Sequence, residues 1–199
     1  MNYNKPDTKL DECIYIAEKI IPADLCDVVV KDIETREWKP HQWHNNVTDT
    51  YGSEETKELD VQSTTPQLQK VLSPFVKEAG RQYNKIYTYQ HPSCVDRTGQ
   101  MVTQFNPIRF NRYEPGQIMR QHHDHIHSLF DGNIKGVPVL TFILNFNDNY
   151  EGADLFFWED TVVKLGKGDI IMFPSNWLFP HGVTEAIKGK RYSGSVWGW

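Results

Sequence analysis

Hydrophobic residues change their spacing about halfway along this chain. In the first half they recur at helical intervals. Pro22 opens one such segment, with Leu25, Val28, Val29 and Ile33 as its apolar stripe. Thr64-Thr65-Pro66 places a hydroxyl cap and a first-turn proline ahead of a second, where Leu68, Val71, Leu72, Phe75, Ala79, Tyr83 and Ile86 repeat. Pro74 falls inside that repeat and predicts a kink or break. Cys13 to Ile16 suits a short strand. The polar stretch from Trp38 to Glu58 reads as a loop or irregular hairpin whose aromatics, Trp38, Trp43 and Tyr51, pin it to the body.

From Met101 the pattern becomes short and β-rich. Strands are expected at Thr103 to Tyr113, Val137 to Phe146, Asp154 to Trp158, Thr161 to Lys164, Asp169 to Phe173 and Tyr192 to Trp197. Turn signals separate them at Glu114-Pro115-Gly116, Asp131-Gly132-Asn133, Glu151-Gly152, Gly166-Lys167-Gly168 and Lys188-Gly189-Lys190. Many short strands after two helices predict a mainly β fold, a jelly-roll-like barrel buttressed by the N-terminal helices. No linker divides the chain, so one domain over 1–199 is expected. Residues 1–100 would supply helical support and loops, and 101–199 the β core.

Composition narrows the function. A chain of 199 residues can bury a core without staples, and a net charge of -5 argues against a nucleic-acid binder. Cys13, Cys26 and Cys94 form neither a disulfide framework nor a CxxC site, which suits a reducing cytoplasm. No apolar run approaches the roughly 18 residues of a membrane span, and the start MNYNKPDTKLDE is unlike a signal peptide. The expectation is a cytoplasmic protein with no membrane partner.

The chemistry centres on His122-His123-Asp124. On an extended strand His122 and Asp124 point to one face, because side chains alternate with period two. A later strand carrying His181 would complete two imidazoles and one carboxylate on one side of a metal, the facial triad of non-heme Fe(II) oxygenases. His123, His125 and His127 alternate to the opposite face, where solvation or a place on the lip of the site is expected. Asn111 reads as a strand residue bonded to backbone, and Trp197 as core.

The ordered segments RFNRYEPGQIMRQHHD, VLTFILNFNDNYEGADLFFW, LGKGDIIMFPSNWLFPHGV and GKRYSGSVW together resemble the prolyl 4-hydroxylase-like branch of the Fe(II)/2-oxoglutarate-dependent dioxygenases. The resemblance covers about half the chain and implies a double-stranded β-helix. It makes His122, Asp124 and His181 the ligands of Fe(II), the catalytic set. It makes Arg191 the cation that pairs with the distal carboxylate of 2-oxoglutarate, with Ser193 and Tyr113 beside that cosubstrate. Many relatives carry Tyr-Leu-Asn where this chain has Asn145-Phe146-Asn147, so a tyrosine contact to the cosubstrate is either missing or replaced by Asn145.

The implied reaction consumes 2-oxoglutarate and dioxygen and hydroxylates an unactivated carbon, a peptidyl proline being the first substrate to consider. The expected partner is a peptide, protein or small molecule. The segments 38–58 and 91–104 are the expected substrate-facing parts. Two alternatives share pieces of the pattern. A cupin-type metal protein would want a histidine at position 124, where Asp124 stands. An AlkB-like nucleic-acid dealkylase would want a second arginine after Arg191, where Trp197 stands.

Overall fold

The computed structural model describes residues 9–45, 50–52, 57–90, 100–124 and 137–199. It is mainly β, with two helices and antiparallel sheets. A 3-10 turn at Leu10–Cys13 precedes β1 (Tyr15–Ala17), so the first strand starts two residues later than its sequence suggests. Helix α1 (Ala23–Glu34) buries Cys26, Val29 and Ile33. Val28, expected in that stripe, is 60% exposed, and Cys26 takes the buried position at the three-residue spacing from Val29. The segment after α1 contains β2 (Lys39–Pro40) and a hairpin of β3 (Trp43–Asn45) with β4 (Thr50–Gly52). Residues 46–49 and 53–56 of the expected loop lie outside the described residues.

After β5 (Asp60–Ser63) comes α2 (Pro66–Gln90), capped where the Leu68 amide donates to Thr65 Oγ1 at 3.3 Å. The helix runs through Pro74 without a break. Pro74 and Lys70, whose carbonyl loses its helical partner, are both exposed, so water can satisfy the freed oxygen. Leu68, Leu72, Val76, Ala79, Tyr83 and Tyr87 form its buried stripe.

The β-rich half contains β6 (Arg109–Tyr113), β7 (Met119–His122), β8 (Leu140–Asn145), β9 (Glu151–Gly152), β10 (Leu155–Phe157) and β11 (Thr161–Val163). It closes with β12 (Ile170–Pro174), β13 (His181–Val183), β14 (Ala186–Lys188) and β15 (Arg191–Gly198). The strand expected from Thr103 forms only from Arg109, because Pro107 has no amide to give a ladder. The turn at Asp131-Gly132-Asn133 lies outside the described residues.

A seven-stranded sheet runs β1-β12-β8-β15-β6-β5-β2, and a four-stranded sheet runs β11-β10-β13-β7. Strand alternation sorts the residues of the large sheet into two cores. Phe110, Phe142, Leu144, Tyr192 and Val196 face α1 and α2. Tyr113, Ile143, Ile171 and Phe173 share the second core with Met119, Leu155, Phe157 and Val183 of the small sheet. The space between the sheets is where the site lies. Among the described residues, no helix is long and apolar enough to cross a membrane.

Candidate metal centre

Three central strands of the large sheet, β8, β15 and β6, line up polar side chains on the face turned toward the small sheet. In register, Arg191 opposes Tyr113, Ser193 opposes Asn111, and Ser195 opposes Arg109. On the other side, Ser193 opposes Asn145, Ser195 opposes Ile143, and Trp197 opposes Thr141. A polar wall inside two sheets costs desolvation unless its groups are bonded to one another or to a ligand.

The small sheet faces this wall with histidines. His122 on β7 and His181 on β13 are direct cross-strand partners, their ring centroids 4.4 Å apart. Gly182 lets these strands sit close to the neighbouring chain. A Cβ there would fall 2.6 Å from the Phe156 ring and 2.7 Å from the Met119 carbonyl. Asp124, two residues beyond His122, completes the group, with one donor atom from each residue within 4.8 Å of the others. His122 Nε2 is 3.3 Å from Asp124 Oδ1, and His181 Nε2 is 3.5 Å from Oδ2.

Both imidazoles are oriented from behind. His122 Nδ1 lies 2.8 Å from the Arg120 carbonyl and His181 Nδ1 lies 3.0 Å from the Phe179 carbonyl. Since a carbonyl only accepts, each Nδ1 carries a proton, and each Nε2 is left as the ring nitrogen facing Asp124. Burial pulls His181 down to about 4, against the attraction of Asp124, so it is neutral at pH 7. Burial alone would raise the Asp124 carboxyl, but in the acid range where a carboxyl titrates the charge of His181 and the hydrogen bond from His122 outweigh it and hold it well below the usual carboxylate range. Thr141 Oγ1 adds a hydrogen bond to Asp124 Oδ2 at 2.9 Å and touches Ser175 Oγ at 2.8 Å.

Two imidazoles and one carboxylate, pre-aimed at one point, are a donor set suited to a divalent transition metal with open positions. Three ligands at right angles around such an ion, with bonds of about 2.1 Å, would lie about 3 Å apart. The observed nitrogen–oxygen separations are close to that, so the residues fit a metal.

The four residues expected at the cosubstrate divide into two groups. Arg191, Ser193 and Tyr113 line the same cavity as the triad. Arg191 is 1% exposed and meets no carboxylate among the described residues. Its Nε donates to Asn145 Oδ1 at 3.0 Å and its Nη1 to the Ala153 carbonyl at 2.8 Å. The guanidinium lies 5.7 Å from the Tyr113 ring centroid and 5.9 Å from that of Tyr150. Burial pushes the Tyr113 hydroxyl up to about 12, against the pull of Arg191 and Arg109. Asn145 stands apart from the cavity lining. Its Nδ2 donates to the carbonyls of Asn147, Leu165 and Gly166, which locks its oxygen onto Arg191.

Several residues here escape the sequence reading. Asn111 is a strand residue and Trp197 is buried, as expected, but both also line the cavity, as does Arg109. Period-two spacing from Tyr113 and Arg191 is the signal that points to them. Behind His122 sits a second layer that no local spacing announces. The Trp43 ring meets the His122 ring edge-on at 5.5 Å. Its indole N–H donates to Glu58 Oε2, while Arg120 Nε donates to Glu58 Oε1 at 2.7 Å. His41, pulled down to about 4 by burial and then by Arg109, touches the same carboxylate at 3.2 Å. His123 is exposed, as expected; His125 and His127 lie outside the described residues.

The combination defines a class: a mainly β protein with a 2-His-1-carboxylate centre between antiparallel sheets. Comparison with known proteins narrows it. Residues 108–199 match the family model described as the 2OG-Fe(II) oxygenase superfamily. A PKHD-type hydroxylase of Shewanella baltica is 34% identical over 112 residues, 54% of this chain and 48% of that protein. One from Delftia acidovorans is 35% identical over 98 residues, 46% of this chain and 42% of that protein. The matched region thus spans about half the length of these curated relatives. Among solved structures, a Pseudomonas putida prolyl-4-hydroxylase superposes with a TM-score of 0.64 at 20% identity, covering 94% of this chain and 92% of that one. A Trichoplax adhaerens prolyl hydroxylase, bound to a hypoxia inducible factor oxygen degradation domain peptide fragment, gives 0.67 at 17% identity, covering 94% and 83%. Over residues 108–199 the chain is thus similar to the 2OG-Fe(II) oxygenase superfamily, and its overall fold is similar to that of these solved prolyl hydroxylases.

Proposed function

We propose that this protein is an Fe(II)- and 2-oxoglutarate-dependent hydroxylase acting on an unactivated carbon, with a peptidyl proline as the first substrate to test. One observation carries the proposal: His122, Asp124 and His181 converge in a cavity that also contains a buried arginine, Arg191, free of any carboxylate partner among the described residues. In this reading the two sheets are the walls of a double-stranded β-helix, and residues 1–199 act as one domain. The comparisons favour it over the AlkB-like and cupin-type alternatives.

When bound, iron together with 2-oxoglutarate and dioxygen supplies the oxidising chemistry, which yields succinate, carbon dioxide and a hydroxylated substrate. The chain's own residues do the positioning. His122, Asp124 and His181 hold the metal on one side and leave the other open. Arg191 receives the distal carboxylate of the diacid on the N–H groups that Asn145 and Ala153 leave free, a task suited to a planar guanidinium that stays charged when buried. Ser193 offers a hydroxyl on the same face two residues on, and Tyr113 keeps its proton and supplies a neutral donor. Met119, Ile143, Leu155 and Val183 of the second core supply apolar lining beside these polar groups.

A peptide substrate is supported by the peptide-bound Trichoplax adhaerens relative. The test is succinate release from 2-oxoglutarate with proline-containing peptides, free amino acids and nucleosides as candidate substrates. Succinate released only with nucleosides would favour the AlkB-like alternative. Metal bound without any 2-oxoglutarate affinity would favour the cupin-type one.

A further inference from the structure

The cavity contains a second arginine, for which a metal and 2-oxoglutarate leave no work. Arg109 is on β6, two positions before Asn111 and four before Tyr113, and all three side chains line the cavity. Two of its contacts repeat those of Arg191, although Arg109 is only partly buried. Arg191 Nε donates to Asn145 Oδ1; Arg109 Nε donates to Asn111 Oδ1 at 3.2 Å. Arg191 lies over tyrosine rings; Arg109 lies over Trp197, 5.1 Å from the ring centroid. Asn111 is itself held, because its Nδ2 donates to Ser195 Oγ at 2.9 Å. Each guanidinium is therefore gripped at Nε by a buried asparagine and backed by an aromatic ring.

This grip leaves both Nη groups of Arg109 without a protein partner among the described residues. Asp124 is close enough to pull on Arg109 electrostatically, but its oxygens face the two imidazoles and Thr141. Arg109 is only partly buried, yet its guanidinium lines the cavity with no carboxylate bonded to it among the described residues, and a leucine would cover the Trp197 ring without desolvating a charge. The charges in the cavity leave the same remainder. A divalent metal balances a dianionic cosubstrate, and Asp124 balances Arg191, with the ligating imidazoles neutral. Arg109 is then the one uncompensated charge among the ionisable residues lining the cavity.

We infer that Arg109 is a substrate-binding residue that takes a carboxylate of the substrate, close to the carbon that is hydroxylated. This rests on the hydroxylase reading above and sharpens its substrate class to an amino-acid-type acid. The carboxylate belongs either to a free amino acid or to the last residue of a peptide. A fork of N–H groups fixes both the position and the plane of a carboxylate, so the neighbouring carbon is presented in one orientation.

The test uses anaerobic protein loaded with Fe(II) and 2-oxoglutarate, titrated by calorimetry. The probes are matched sets for each common side chain: the free amino acid, the N-acetyl amino acid and the N-acetyl amino acid amide. At least one acid should bind more than about tenfold tighter than its amide. That preference should vanish in Arg109→Gln and survive in part in Arg109→Lys, which keeps the charge but loses the fork. Preference for the free amino acid over its N-acetyl form would identify a free amino acid as the source, and the reverse a chain terminus. The inference fails if no acid outbinds its amide, or if the preference persists in Arg109→Gln. It also fails if Arg109→Gln loses 2-oxoglutarate affinity, since Arg109 would then serve the cosubstrate. Failure of the parent protein to bind 2-oxoglutarate would instead overturn the hydroxylase reading, and is read from the loading step alone.

Discussion

Thr141 fastens Asp124 to the large sheet: its hydroxyl donates to Asp124 Oδ2 at 2.9 Å, and Ser175 Oγ sits 2.8 Å from the same hydroxyl. The carboxylate that completes a group on the small sheet is therefore aimed by the opposite wall. Thr141→Val keeps the shape and removes the donor. Loss of an outer-shell bond to a ligand weakens metal binding by about 10–100-fold, and an unpaired buried polar partner costs about 1–3 kcal/mol. Thr141→Ser should restore most of both. Metal titration and thermal unfolding of the three proteins check this.

The triad itself is tested by truncation. His122→Ala, Asp124→Ala and His181→Ala should each abolish tight metal binding and 2-oxoglutarate turnover while the fold persists. His123→Ala should keep its metal, because that side chain is exposed on the other side of the strand. Metal content after dialysis, with circular dichroism as the fold control, decides it. Metal retained by His122→Ala but lost by His123→Ala would shift the ligand register by one residue.

Arg191 and Asn145 form the second testable pair. Removing one side of a buried charged pair costs roughly 3–5 kcal/mol, so Arg191→Ala should weaken 2-oxoglutarate binding more than about a hundredfold, with metal affinity little changed. Arg191→Lys should fall between. Asn145→Leu should also weaken binding, because Arg191 Nε loses its acceptor. Lys190 is on the surface, 3.0 Å from Glu114, and Lys190→Ala should change cosubstrate affinity less than twofold. Anaerobic titration with 2-oxoglutarate reads all four.

Acid should destabilise the metal-free protein. Burial lowers His181 to about 4, and burial with Arg109 lowers His41 to about 4, from an ordinary value of 6.5. Between those pH values the unfolded chain binds more protons than the folded one, so stability rises with pH through this window and falls on acidification. A fully shielded histidine contributes a slope of about 1.4 kcal/mol per pH unit. Melting temperatures in the presence of a chelator should be level above about pH 7 and drop steadily from there to about pH 4. A flat profile from pH 7 to 5 would mean that these histidines are not shielded from water.

The site was legible in the sequence where chemistry and short spacing coincide. His122 and Asp124 are two residues apart, and Arg191 and Ser193 likewise, so strand geometry alone puts each pair on one face. The helices were legible from their caps and stripes, with errors at Val28 and Val71 on the outer edges of those stripes. What escaped depended on register. Strands β7 and β13 are only four and three residues long, too short to leave a periodic trace, yet their pairing opposes the two histidines. Glu58, Trp43 and His41 reach the back of His122 from a segment more than sixty residues upstream, and no local rule connects them. Trp197 is buried, as its size and apolar character suggest, but its place on the cavity wall follows only from its register beside Thr141.

Strand β15 has a further consequence for how such a protein can change. Its odd-numbered residues from Arg191 to Trp197 line the cavity, while Tyr192 and Val196 pack toward the helices. Substitutions at odd positions can revise what the cavity accepts without touching the helix-side core. A single inserted or deleted residue in the middle of β15 would exchange the two roles beyond that point, burying serines among aromatics and exposing valine to the metal. Such a strand is open to point mutation and closed to frame-preserving indels of one codon.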